Sequence, residues 1–106
     1  MSWEYLPGER SIMLKIGPHT IPVVKEELED QTFGEYINFP EPIIKIHARI
    51  SPQLQAMTLL HEILECVVES YGLDLSEADI RTIENALVMV VKDNPKKFQE
   101  WSKRIQ

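Results

Sequence analysis

Between residues 11 and 48, two short runs alternate apolar with polar positions, Ser11 to Ile16 and Ile43 to Ala48. Ser11 to Ile16 places Ile12, Leu14 and Ile16 on every second position, and Gly17-Pro18 follows as a turn signal. Thr20 to Lys25 carries the β-branched residues Ile21, Val23 and Val24, so the two runs predict a hairpin. Pro22 has no N–H to donate and is expected on an edge or at a strand end. Asp30 to Gly34 reads as a loop. Glu35 to Phe39 reads as a short strand, broken by Pro40-Glu41-Pro42. Ile43 to Ala48 alternates again, with Ile44 and Ile46 on one face and Lys45 and His47 on the other.

Past Ser51 the apolar spacing lengthens to that of a helix. Ser51 is a good N-cap, and Pro52 suits the first helical position. Leu54, Met57, Leu60, Leu64, Val67 and Val68 then recur at helical spacing as far as Tyr71, and Gly72 supplies the C-terminal cap. Ser76, with Asp79 three residues on, resembles a capping box for a second helix. That helix carries Ile80, Ile83, Leu87, Val90 and Val91 until Asp93-Asn94-Pro95 stops it. Lys96 to Ile105 reads as a short tail helix with Phe98, Trp101 and Ile105 on its apolar side. The pattern predicts one α+β domain over residues 1–106. Strands fill 10–50, core helices fill 51–71 and 76–93, and a tail helix fills 96–105. A small antiparallel or mixed sheet would carry two packed helices.

The 106 residues suffice for one such core, and 43% hydrophobic content argues against disorder. The net charge of −6 repels phosphate backbones, so nucleic acid is not an expected partner. The acidic run Glu26-Glu27-Leu28-Glu29-Asp30 and the basic tail read as solvated surface. The single cysteine, Cys66, admits no internal disulfide and reads as an ordinary buried thiol in a reducing compartment. Met1 to Gly8 has neither the basic start nor the apolar run of a signal peptide, and no apolar stretch is long enough to span a bilayer. The expectation is a cytoplasmic protein with no membrane partner. Trp3, Tyr5 and Trp101, near the chain ends, are expected to close the edges of the core.

The chemistry lies in Leu59-Leu60-His61-Glu62-Ile63-Leu64-Glu65. Residues i and i+4 of a helix share a face, so His61 and Glu65 can reach one ion, and both side chains are accepted zinc donors. Glu62 sits roughly 100° round the helix, where it can address a water at the ion as a general base. This is the logic of the H-E-x-x-H helix with Glu65 in place of the second His. The added carboxylate hardens the donor set and eases competition from manganese or iron. A third ligand is expected at Glu84, which falls inside the apolar stripe of the second helix, where an uncompensated carboxylate is costly. Glu77 and Asp79 are reserve ligands. The competing reading is an amphipathic helix whose Thr58, His61, Glu62, Glu65 and Glu69 form a solvated face, with Glu84 turned outward or paired with Arg81 or Lys45. His47 is read as a hydrogen-bonded structural residue and His19 as part of a turn. No nucleophile elbow or glycine-rich phosphate loop is present.

The segments Ser51 to Gln55, Leu59 to Glu65, Gly72 to Ser76 and Leu87 to Pro95 resemble a group of small phage and bacterial proteins. These look like minimal zincin domains, distantly similar to the ImmA/IrrE-type metallopeptidases of mobile elements. The resemblance covers roughly residues 10 to 95. It implies a zinc-dependent peptidase or hydrolase acting on a protein or peptide. A relative that kept the scaffold without catalysis, as a phage or prophage interaction protein in a bacterial host, is the alternative. His61 and Glu62 match the family's first ligand and catalytic acid. Glu84 matches the spacing of the third ligand in gluzincins, and Glu65 departs from the usual His.

Overall fold

The computed structural model describes residues 11–106. They form two compact units, residues 11–74 and Leu75–Gln106. The expectations for Trp3, Tyr5 and the segment Met1 to Gly8 fall outside the described residues. The architecture is α+β, a four-stranded mixed sheet followed by three helices.

The first unit holds β1 (Ser11–Ile16), β2 (His19–Glu26), β3 (Gly34–Ile37), β4 (Ile43–His47) and α1 (Pro52–Ser70). The sheet order is β1-β2-β4-β3. β1 and β2 make the expected antiparallel hairpin, β2 and β4 pair in parallel, and β3 runs antiparallel to β4 on the far edge. β2 is therefore an inner strand, yet Pro22 keeps the edge-like position expected of it. Its pairing with β4 starts only at Val23, so Pro22 lies where β2 has a single neighbour.

The register explains the core. Ile12 and Leu14 of β1 lie opposite Val23 and Ile21, while Val23 and Lys25 lie opposite Ile44 and Ile46. Period two sends these side chains to one face. Ile21, Val23, Ile44 and Ile46 are fully buried there, with Cys66 of α1. Each aliphatic side chain so buried stabilises the fold by about 1.5–3 kcal/mol. Leu59, Ile63 and Val67 of α1 pack against the same cluster.

α1 is bounded as its sequence predicts. The Ser51 side chain accepts a hydrogen bond from the Leu54 N–H at 3.2 Å, with Pro52 in the first turn. At the other end Gly72 has φ +63°, the Gly72 N–H reaches the Glu69 carbonyl, and the Leu73 N–H reaches the Val68 carbonyl at 2.9 Å. Together these form a Schellman motif, and the positive φ is why glycine stands there.

The buried face of α1 is not the one the apolar spacing suggests. The buried residues are Gln55, Thr58, Glu62 and Cys66. Thr58 and Glu62 therefore do not belong to a solvated face. Two contacts account for this orientation. Gln55 Nε2 donates to the carbonyls of His47 and Ala48, at 3.1 and 3.4 Å, and ties the start of α1 to the end of β4. Thr58 lies over Gly34, where an added Cβ would come within 2.6 Å of Thr58 Cγ2 and 2.9 Å of the Lys45 carbonyl oxygen. Glycine at that point lets α1 lie close to the edge strand.

The second unit holds α2 (Glu77–Asp93) and α3 (Pro95–Ile105), separated by Asn94 alone. The capping box at Ser76 is complete: Ser76 Oγ accepts from the Asp79 N–H at 3.1 Å, and Asp79 Oδ2 accepts from the Ser76 N–H at 3.0 Å. Ile80 is the one buried residue of α2, and α3 has none. Trp101 is exposed and meets Phe98 in a tilted ring contact with centroids 5.3 Å apart, so it does not close a core edge. Among the described residues no helix is long and apolar enough to cross a membrane.

Candidate metal centre on α1

α1 brings two of the three expected ligands together. His61 Nε2 and Glu65 Oε1 are 3.2 Å apart, one turn from each other, and both side chains are partly buried. The separation satisfies two chemistries. A hydrogen bond from a protonated Nε2 to the carboxylate has this length. Two donors on one tetrahedral zinc, each about 2.0–2.2 Å from the ion, also stand roughly 3.3 Å apart. The tautomer separates them, because coordination needs the Nε2 lone pair and moves the ring proton to Nδ1. Imidazole and carboxylate side by side therefore fit a divalent ion in chemistry and in spacing.

Glu62 occupies a different environment. Its residue exposure is 4%, on the side of α1 that also buries Thr58 and Cys66. Among the described residues, the inner face of the sheet, which that side covers, carries a single lysine or arginine by register, Lys25 opposite Ile46. Glu84 lies on α2, in the second unit, and is half-buried. Lys45, one partner suggested for it, is engaged by Glu26 at 3.0 Å on the outer face of the sheet. That hydrogen bond and the neighbouring charge raise the lysine's pKa. Of the reserve ligands on α2, Asp79 is held by the capping box. Glu77 is exposed in the first turn.

His47 is a structural residue, as its pattern implied: its Nδ1 accepts the Arg49 N–H at 3.1 Å. His19 is exposed at the start of β2, just after the turn.

A second cluster on α1 escaped the sequence reading. Tyr36 of β3 faces the core opposite Ile44. Its pKa is pushed up to about 12, first by burial, then by a hydrogen bond with Cys66 and the nearby charges of Cys66 and Glu69. Glu69 in turn accepts a short hydrogen bond from Asn38 Nδ2. The available signal was the inward phase of Tyr36 on β3, but a four-residue strand is too short to fix that phase. No protein-family model, no curated protein and no solved structure matches this chain.

Proposed function

We propose that this chain is a divalent-metal-binding domain of the minimal zincin type, acting as a metal-dependent peptidase or hydrolase. The observation that carries the reading is the 3.2 Å approach of His61 Nε2 to Glu65 Oε1 on a partly buried helix surface. His61 and Glu65 would hold the ion, zinc by preference, and the added carboxylate would make manganese or iron better competitors for the site. Glu84 is the sequence's choice for the third ligand. The bound ion would supply a Lewis acid for a peptide carbonyl. Glu62 would act as the base that takes a proton from water. A base must reach that water, and a carboxylate on a residue only 4% exposed, on the side of α1 that faces the sheet, has little access to it. This burial favours a second reading, in which the scaffold binds metal or protein without catalysis.

Metal analysis and calorimetry on protein purified without a polyhistidine tag test the proposal. Zinc should bind at one equivalent, be lost in His61→Ala and Glu65→Ala, and tighten in Glu65→His. Glu84→Gln and Glu77→Gln identify the third ligand by which of them lowers affinity. Glu62→Gln should keep the metal and abolish peptide hydrolysis. A wild-type protein that holds zinc and hydrolyses nothing selects the second reading. Failure to bind zinc, manganese or iron removes the metal centre altogether.

A further inference from the structure

α2 and α3 each carry an apolar face at helical spacing, and each leaves it open. On α2, Ile83, Leu87 and Val90 are 37%, 40% and 48% exposed. Their spacing of four and three residues, continuing from Ile80, is that of a helix-packing seam. On α3, Trp101 and Ile105 are 56% and 64% exposed and continue the line of Phe98 at spacings of three and four.

The charges beside the two faces have opposite sign. Asp79, Glu84 and Asp93 lie one turn from seam residues of α2, at i−4 from Ile83, i−3 from Leu87 and i+3 from Val90. Two copies of this seam would therefore repel each other if packed directly. The exposed face of α3 is bordered instead by Lys97 and Arg104, which lie i−4 and i+3 from Trp101. Lys97, Trp101 and Arg104, with Glu100, line one open hollow of about 240 Å³. The Arg104–Glu100 ion pair, at 2.6 Å, is well exposed and holds Arg104 only weakly.

A single helix pair cannot satisfy both faces. Two antiparallel helices need a connection of about 2–5 residues to fold back on each other. Here Asn94 alone separates α2 from α3, so Trp101 and Ile105 cannot return along the seam of their own α2.

We infer that two copies of the chain form a twofold dimer in which α3 of each copy lies along the Ile83–Leu87–Val90 seam of the other copy's α2. The exchange is reciprocal, so one contact is made twice. Apolar side chains fill the centre. Lys97 and Arg104 come to lie among the acids that flank the seam.

Sedimentation velocity and light scattering on the full chain test this. The expected mass is twice the 12.3 kDa of one chain. Leu87→Glu and Trp101→Ala should each give monomer with an unchanged circular dichroism spectrum. Lys97→Glu with Arg104→Glu should weaken the dimer about tenfold, and high salt should act in the same direction. Should those variants misfold, cysteine pairing decides. A mixture of Leu87→Cys and Trp101→Cys proteins should yield a disulfide-linked heterodimer, and neither protein alone should cross-link. A monomer at every concentration overturns the inference. So does a dimer that survives both apolar variants in folded form, or cross-linking of Leu87→Cys to itself.

Discussion

α1 and α2 begin alike. Each has a serine N-cap and an apolar repeat, and they run 19 and 17 residues. Their burial is opposite in kind. α1 buries a glutamine, a threonine, a glutamate and a cysteine, while α2 leaves Ile83, Leu87 and Val90 partly exposed. Hydropathy therefore did not choose the inward face of α1. Apolar residues surround much of that helix, so no arc was unique. Small Thr58 and Cys66 allow the closest approach to the sheet, and Gly34 removes the obstacle beneath it. α2 has one clear apolar stripe and no sheet within its own unit to cover it.

The largest effect should come from the sheet. Ile46→Ala opens a cavity in a fully buried position and should destabilise the first unit by about 2–5 kcal/mol in urea titration. Met89→Ala on α2, more than half exposed, should change stability by no more than about 0.5 kcal/mol. Equal costs at the two positions would end the distinction between a packed helix-on-sheet unit and an open helical one.

This contrast also shows what the chain made legible. Strand phases at Ile12-Leu14-Ile16 and Ile44-Ile46 and the serine caps of both helices are local signals, and the elements follow them within two residues. The parallel pairing of β2 with β4 is not local, because nothing in either strand names its neighbour. The proximity of His61 and Glu65 was legible, since helix geometry alone sets it. The burial of Glu62 was not, since it depends on how α1 is turned against a sheet whose strands are far away in sequence. Glu84 was singled out for sitting in an apolar stripe, yet Ile83, Leu87 and Val91 of that stripe are exposed. The stripe marks a helix face and does not by itself mark an interior.

A smaller effect tests the contact that orients α1. Gly34→Ala places a methyl 2.6 Å from Thr58 Cγ2 and 2.9 Å from the Lys45 carbonyl oxygen. Forced overpacking of this kind costs about 1–3 kcal/mol. Adding Thr58→Ser removes Cγ2 and should recover part of that loss, but not all, because the carbonyl remains. A Gly34→Ala protein as stable as the wild type would mean that α1 does not need this close approach, and the account of its polar inward face would fail.

The smallest effect separates the two units by pH. All tyrosines of the chain precede residue 75, and Tyr36 carries a pKa raised to about 12. Its folded form therefore keeps the phenol proton where the unfolded chain, with an ordinary value near 10, loses it. Stability from this group is complete below pH 10 and declines as pH rises towards 12. Lys45, also raised by its bond to Glu26, loses its contribution as pH rises above its ordinary value of 10.5. Tyr36→Phe should thus flatten only part of the alkaline decline of the first unit. At pH 8 it should cost about 1 kcal/mol for the lost hydrogen bond to Cys66. Urea midpoints from pH 8 to pH 12, read at the sheet and on α2 by hydrogen exchange or site-specific fluorescence, would show it. An unchanged slope in the Tyr36→Phe protein would mean that the phenol is not held neutral by its place beneath α1.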